Sequence, residues 1–429
     1  MWLSLLPLGF SLVASGIPGA AAQECGGSLI DYEEIHSQED IDAITDKCTT
    51  LRYGYQVTTN FTGPFSLPGI VNVSELIAGS DGSGRLLDIP SFELPDLEYA
   101  KRLYLQLGDN LETLSAPKLV SAESLSVYTP AHLDVLDVPA LKEVYYLTLR
   151  GNFSDVTFGA LDTVHDEIWI SNRLLSASPD TLGETSLNIS FPLVTSASAI
   201  IIGGKTSSIS FPELTELTDS WNTIPGYRAS NFTLWGESLP LDLPRLATVD
   251  GNLLVAGNIS SLSLPDLRSI KGNLTINAGD PLSIELPSLY AAKVIELTGK
   301  IESVDLPALF AFDLLRIDSE LPLDCDAIVE TYASSTLRNE VTCVSAEGSG
   351  GDESEDNEDE TTDQGGEGSE TESSSSEGSD EAANGDADAE GSTPDNDNGS
   401  TTLALDLKRG ISVAVATSLL LVGLVEVVF

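Results

Sequence analysis

A four-residue phrase, Leu-Pro-x-Leu, recurs along most of the chain and constrains the fold more than any other feature. Its proline position falls at 95, 117, 139, 159, 192, 212, 244, 265, 287 and 307, with glycine at 159. Most intervals are 20–22 residues, and two are longer, at 33 and 32. A near-constant period of this length indicates a solenoid, in which each repeat stacks on its neighbours. A less regular copy at Pro68 is a candidate for an earlier repeat.

Between the prolines, apolar and polar residues alternate, as in Leu282, Ile284 and Leu286. Alternation with period two predicts short strands with one buried face. We therefore predict an all-β fold, a β-solenoid whose leucine-rich rungs pair strand on strand at ~4.8 Å. The two leucines of each phrase should point inward, and the proline should lie at a corner or edge where its missing N–H breaks no ladder bond. A repetitive β-sandwich is the alternative.

The two long intervals, 159–192 and 212–244, carry insertions. They are either large loops on one solenoid, or the first marks the join between two shorter ones. Trp221 and Trp235 lie in the second insertion with Tyr227, and Trp169 is the only other tryptophan after residue 22. Aromatic rings in such a loop either stack on sugar rings or cover the core as a lid. Trp221, Tyr227 and Trp235 are the candidate ligand-contact residues.

Both flanks of the apolar region resemble caps. The segment SQEDIDAITDKC predicts a short helix with Ser37 as its N-cap. Cys25 and Cys48 precede the repeats, and Cys325 and Cys343 follow them. An even cysteine count in a secreted chain predicts disulfides, and we expect the two local pairs, although four cysteines permit three pairings.

Both ends of the chain resemble processing signals. Residues 1–22 join a short apolar run to three final alanines, the pattern of a secretory signal peptide. Residues 411–429 are almost wholly apolar and follow small residues at 398–400 and a polar spacer. This order predicts a glycosylphosphatidylinositol (GPI) anchor, with Asn398 as the attachment residue and 401–429 as the removed propeptide. Asn396 and Gly399 are alternative attachment residues, and a single transmembrane helix is the competing interpretation of the tail.

The charge is strongly acidic and unevenly placed. Residues 351–400 hold 19 acidic residues and no Lys or Arg, so the remaining chain carries −28 of the net charge of −47. A segment of this composition cannot bury enough apolar surface to offset its ordering entropy, and we predict a disordered stalk over 344–400. No basic face is available for counterion release, so nucleic acid is excluded as a partner.

No catalytic constellation is evident. The sequence has no G-x-S-x-G, and His36, His132 and His165 are scattered. His165 begins the run His-Asp-Glu, which is best explained as a solvated rung edge. No close Cys-x-x-Cys pair suggests zinc. We predict no catalytic residue, no metal site and no cofactor. The chain does hold N-glycosylation sequons, and seven precede the stalk: Asn60, Asn72, Asn152, Asn188, Asn231, Asn258 and Asn273.

Taken together, the signal peptide, the IHSQEDIDAITDKCTTL segment, the Pro-centred rungs, the sequons, the acidic stalk and the tail resemble the fungal GPI-anchored cell-wall organisation proteins. The resemblance covers residues 23–343 by pattern and the rest by architecture. It implies a receptor L-domain-like, right-handed β-helix at the plasma membrane or wall, with a non-catalytic role in wall integrity and wall glucan or mannoprotein as partners. A recognition module for a wall glycan or protein is the alternative, and a wall-polysaccharide hydrolase or transglycosylase is a third class.

Overall fold

The computed structural model describes residues 24–26, 32–79, 85–133, 135–172, 186–218, 232–333 and 339–346. All of these residues belong to one compact unit. Strand accounts for 58% and helix for 6%, and the strands form a parallel β-solenoid of about 12 turns. The predicted all-β solenoid is therefore confirmed. At ~4.8 Å per rung, the stack is about 58 Å long.

One long parallel sheet runs the length of the stack. Elements are numbered in chain order over the whole chain. The strands of this sheet are β3 (Thr50–Val57), β5 (Asn72–Ala78), β7 (Tyr99–Gln106), β9 (Ser121–Leu133), β11 (Glu143–Phe153), β13 (Thr163–Ser171), β16 (Ala199–Ser210), β18 (Phe232–Asp242), β20 (Leu253–Ser263), β21 (Ser269–Glu285), β22 (Ala291–Asp305), β23 (Leu314–Ser319) and β24 (Glu340–Ser345). Each one pairs with the strand of the next rung.

Shorter strands form the other sides of the rungs. On the second face lie β4 (Phe65–Ser66), β6 (Ser91–Glu93), β8 (Thr113–Ser115), β10 (Val135–Asp137), β12 (Asp155–Thr157) and β14 (Leu187–Ser190). At the corner before the long sheet lie β15 (Ser196–Ala197), β17 (Glu216–Leu217) and β19 (Thr248–Val249). Two strands, β1 (Glu24–Cys25) and β2 (Glu33–Ile35), pair with β3 at the N-terminal end.

Several strands are much longer than the short strands that the alternation predicts, such as the 17 residues of β21. These strands are long because the backbone bends round a corner of the solenoid while its hydrogen bonds to the neighbouring rungs continue. In β16, residues 199–203 pair with β13 on the long sheet, while residues 206–210 pair with β14 on the second face. Gly204 stands at this corner with φ of +103°, and a Cβ there would collide with the side-chain oxygen of Asn172. Glycine is therefore required at this bend.

The Leu-Pro-x-Leu phrase forms a β-turn. The N–H of Leu267 donates to the carbonyl of Leu264 at 3.2 Å, and Leu289 does the same to Leu286 at 3.2 Å. Proline occupies the second position of each turn, where its fixed φ suits the backbone and its missing N–H is not needed. All four leucines are almost fully buried. The predicted inward leucines and corner prolines are confirmed.

Equivalent inward residues of successive rungs stack on one another. Phe158, Phe191 and Phe211 occupy the first position of their phrases. Their rings lie 5.3 and 5.0 Å apart with interplanar angles of 8°. Phe65 and Phe92 form a similar stack at 4.3 Å. No rung can bury such a ring alone, so the packing energy resides between rungs.

The ladder is continuous across both long intervals. Residues 167–171 of β13 pair with residues 199–203 of β16, on either side of the first insertion. Residues 200–205 of β16 pair with residues 232–237 of β18 across the second. The described rungs therefore belong to one solenoid, which answers the question that the sequence left open.

The N-terminal end is capped as predicted. Helix α1 (Gln38–Thr45) begins after Ser37, whose side chain accepts the N–H of Asp40, and the Asp40 carboxylate accepts the N–H of Ser37 in return. Ile41 is fully buried against the first rung. Cys25 and Cys48 form a disulfide with a Cα–Cα distance of 5.6 Å.

The C-terminal end has a second helix, α2 (Cys325–Ala333), which the sequence analysis did not predict. The Asp324 carboxylate accepts the N–H of Ala327 at 3.0 Å and so caps its first turn. The Tyr332 hydroxyl accepts the N–H of Leu306 at 3.0 Å, which ties the helix to the last proline turn. Cys325 pairs with Cys343 as predicted.

Candidate functional site

Of the three predicted ligand-contact aromatics, Trp221 and Tyr227 lie outside the described residues. Trp235 lies on the outer face of the long sheet, in register with Gly203 of the preceding rung. Its indole ring occupies the space that a side chain at Gly203 would fill. The indole N–H is buried and has no hydrogen-bond partner in the described part of the chain. Trp235 is therefore half-buried against the sheet.

Other aromatic and cationic side chains line the same outer face. We call Tyr104, Tyr128, Arg150 and Trp169 the aromatic strip. They come from four successive rungs, β7, β9, β11 and β13. The rings of Tyr104 and Tyr128 are 5.3 Å apart. The guanidinium carbon of Arg150 lies 5.9 Å from the Tyr128 ring centroid and 4.9 Å from that of Trp169. These distances are in the range of cation–π contacts.

Contacts among the side chains of the aromatic strip cover much of the strip's surface. Arg150 covers one face of both Tyr128 and Trp169. Tyr128 is only 7% exposed, although it projects from the outer face. The indole N–H of Trp169 is buried without a hydrogen-bond partner among the described residues. Side-chain contacts therefore link the four rungs of the strip and leave an aromatic and cationic surface that is largely covered by the strip itself.

A second group of rings lies at the corner before the long sheet. Tyr145 stacks on His165 with ring centroids 4.1 Å apart. The His165 Nε2 is 2.6 Å from a Glu143 carboxylate oxygen. Tyr99 donates its hydroxyl to Glu123 at 3.1 Å, and burial followed by this hydrogen bond raises the pKa of the Tyr99 hydroxyl. All these groups are partly exposed, and ion pairs at such sites contribute little to stability. The corner is thus a solvated rung edge with cross-rung contacts.

Six of the seven folded-region sequons fall on described residues. Asn60 and Asn188 are exposed, and Asn72, Asn152, Asn258 and Asn273 are partly buried. The Asn188 side-chain oxygen accepts from Ser208 at 3.1 Å, which leaves its amide nitrogen for attachment. Asn231 lies outside the described residues. Asn60 follows the long-sheet strand β3, and Asn188 lies in β14 on the second face, so glycans at these two residues would lie away from the aromatic strip.

Outside the described residues lie the processing signals at 1–22 and 401–429, the attachment residue Asn398 and residues 347–400 of the predicted stalk. Residues 344 and 345 pair with β23 as part of β24, so the ordered region extends past the predicted start of the stalk. Within the described ranges, no helix has the length and apolarity needed to span a membrane. The same residues contain no group of three or more His, Cys, Asp or Glu side chains placed to hold a metal ion.

Comparison of the chain with protein-family models, with curated proteins and with solved structures finds no match.

Proposed function

We propose that this chain is an N-glycosylated, GPI-anchored protein of the fungal cell surface that contributes to cell-wall organisation without catalysing a reaction. The observation that carries the proposal is the single solenoid closed at both ends by a helix and a disulfide. Disulfides persist in oxidising compartments, which fits export through the secretory pathway. A continuous solenoid about 58 Å long with a disulfide at each end suits a structural role in the wall.

The sequence signals supply the proposed location. A secretory signal followed by a folded unit, an acidic stalk and a GPI signal supports a location outside the plasma membrane, where wall glucan or mannoprotein would be the partner. The 19 acidic residues of 351–400 repel one another, and a highly charged segment of this kind is suited to act as a stalk.

The anchor is tested on cells that make the protein. Phosphatidylinositol-specific phospholipase should release it from washed membranes, and mass spectrometry of the released chain should find no peptide from 401–429. Protein that stays with the membrane and still carries the tail peptide would refute the anchor and support the transmembrane interpretation.

A recognition module is the second candidate, and the aromatic strip with Trp235 is the observation that favours it. Aromatic and guanidinium groups on one face suit contact with a glycan or protein surface. Trp235→Ala should then weaken adhesion to purified wall material while circular dichroism stays unchanged. Tyr99→Ala, which removes a partly exposed ring at the corner before the long sheet and away from Trp235, is the matched control. Equal adhesion by wild type and Trp235→Ala would remove Trp235 from the candidates.

The non-catalytic part is tested by turnover. The purified protein is incubated with insoluble β-glucan, chitin and mannan, and new reducing ends and chain lengths are measured. The proposal expects neither to change. Turnover would establish the hydrolase or transglycosylase class and direct attention to pairs of carboxylates, since glycoside cleavage needs two at a set separation.

A further inference from the structure

One part of the outer face of the long sheet is nearly free of charge. On each of eight successive strands, from β7 to β21, two outward residues flank an inward one, as Thr148 and Arg150 flank the buried Leu149 in β11. The register carries these two rows without a shift from residues 104 and 106 in β7 to residues 275 and 277 in β21. We call these sixteen residues, two on each of eight strands, the low-charge face.

Arg150 is the only charged residue among the sixteen, although charged residues make up 20% of the whole chain. The face ends at the next strand, since β22 carries Glu296 in the first row, and β23 carries Arg316 and Asp318. Outside residues 351–400 the chain has a net charge of −28. This acidic chain therefore keeps its carboxylates off one long surface.

The low-charge face has the composition of a protein–protein interface. The centres of such interfaces are enriched in Tyr, Trp and Arg and depleted in Lys, Glu and Asp. The face holds Tyr104, Tyr128, Trp169 and Trp235 together with Arg150, and it holds no Lys, Asp or Glu. Contacts within the aromatic strip already fix several of these side chains. Association would therefore cost little side-chain entropy.

The size of the face suits contact with a second copy of the chain. Eight strands at ~4.8 Å span about 34 Å, and a five-residue width of strand spans about 16 Å. Two such faces in contact would cover about 1,100 Å² in total, above the ~1,000 Å² that a specific interface needs. None of the sixteen residues is a sequon asparagine, and Asn152, Asn258 and Asn273 lie just beyond the edges of the face.

The face is self-complementary about a two-fold axis that runs along the strands, midway between β13 and β16. Such an axis places β11 of one copy opposite β18 of the other, so Arg150 faces the partner's Trp235. A guanidinium opposite an indole suits a cation–π contact. Tyr128 faces the partner's Ala256, so a large side chain opposes a small one. The single charge of the face therefore meets a ring, and no like charges meet.

We propose that two copies of the chain associate back to back through the low-charge face, as an isologous dimer. The two sheets pack about 10 Å apart, as in other face-to-face sheet pairs. The acidic surfaces of the two solenoids then point away from each other. Salt screens their remaining long-range repulsion, so association should strengthen as salt is raised. The dimer depends neither on the anchor nor on a location in the wall.

The test uses the full chain in density-matched detergent, measured by sedimentation equilibrium. Wild type should reach twice the mass that it has in denaturant, and its dissociation constant should fall as salt is raised. Thr148→Lys and Thr233→Glu each add a charge to the face and should weaken association on the order of a hundredfold. These positions face each other across the proposed axis but lie three rungs, ~14 Å, apart within one copy. The double variant should therefore regain most of the lost affinity.

Phe310→Lys is the matched control, since it adds a charge at a 63% exposed position outside the low-charge face, and its association should equal that of wild type. Circular dichroism should give one melting temperature for all these variants. A wild type that stays monomeric, or a dimer that neither Thr148→Lys nor Thr233→Glu weakens, would overturn the inference. Loss in both single variants without recovery in the double variant would overturn the two-fold arrangement.

A monomer that binds wall material through Trp235 would assign the low-charge face to the recognition module and would also overturn the dimer. The phospholipase and turnover assays decide the proposed function separately, so the two failures are distinguishable.

Discussion

The internal phenylalanine stack offers the sharpest test of the packing described above. Phe191 is fully buried between Phe158 and Phe211, with ring centroids 5.3 and 5.0 Å away. Replacing a buried Phe by Ala costs about 3–5 kcal/mol, from the lost transfer energy and the cavity left behind. Each stacked pair contributes a further ~0.5–1.5 kcal/mol beyond area burial, which places Phe191→Ala toward the upper end, about 4–5 kcal/mol. A typical domain is stable by only about 5–15 kcal/mol.

The loss should be local because each rung contacts only its neighbours. Urea unfolding followed by circular dichroism gives the free energy, and hydrogen exchange with mass spectrometry locates the weakened rungs. We expect Phe191→Ala to lose protection in β14, β16 and β17 before β21 and β22. Phe310→Ala, at a 63% exposed position, is the control and should change the free energy of unfolding by no more than ~0.5 kcal/mol. Equal effects of the two substitutions would refute the stacked-core reasoning.

Three further predictions concern the caps and one surface ion pair. Ser37→Ala removes the N-cap acceptor of α1 and should cost ~1 kcal/mol of local stability by hydrogen exchange, whereas Ser37→Asp should retain it; equal loss in both would contradict the capping role. Replacing Cys325 and Cys343 by serine opens a disulfide loop with a sequence separation of 18 residues, and the loop-entropy model gives a loss of about 3 kcal/mol of stability. The amides of β23 and β24 should then exchange before those of the other strands. Unchanged exchange in β23 and β24 would contradict the stabilising role of this disulfide. Hydrogen bonds, first from Lys118, hold the pKa of the Asp96 carboxyl below its usual value. The ionised Asp96 carboxylate therefore stabilises the fold fully above about pH 4, its unfolded pKa, and this stabilisation is lost as the pH falls through the lower pKa of the folded state. Asp96→Asn should make the melting temperature fall less steeply with acidification. An acid limb identical to that of wild type would refute this.

Much of the fold could be predicted because the repeat is encoded locally. Proline at the second position of a β-turn fixes the corner, and period-two alternation fixes which side chains face inward. The short strand lengths were predicted wrongly, because alternation does not reveal that a strand bends through a corner glycine such as Gly204 with its ladder intact. Helix α2 was missed although Asp324, Ile328 and Tyr332 carry its N-cap and i, i+4 pattern, because the segment is short and follows a strand-rich region.

The aromatic strip was harder to predict. Counted from the second leucine of the phrase, Tyr128 and Arg150 both fall nine residues on, from Leu119 and Leu141, so alignment of the phrases would have paired them. Trp169 lies eight residues after Leu161, whereas Tyr104 lies seven after Leu97. Strand β13 has one residue more than β11 between two paired positions, since Val144 pairs with Val164 but Tyr146 pairs with Glu167. This bulge places Trp169 one residue later in its rung than Tyr104 is in its own. Bulges shift the register without a reliable sequence signal.

The most direct test of the central claim is made in cells of the organism that produces the chain. Cells lacking the protein are exposed to wall-degrading glucanase, and the rate of lysis is compared with that of cells complemented by the full chain or by a chain ending at residue 400. A role in wall organisation predicts faster lysis without the protein, rescue by the full chain and no rescue by the form that lacks the anchor signal. Lysis at the wild-type rate in cells without the protein would contradict a role in wall organisation.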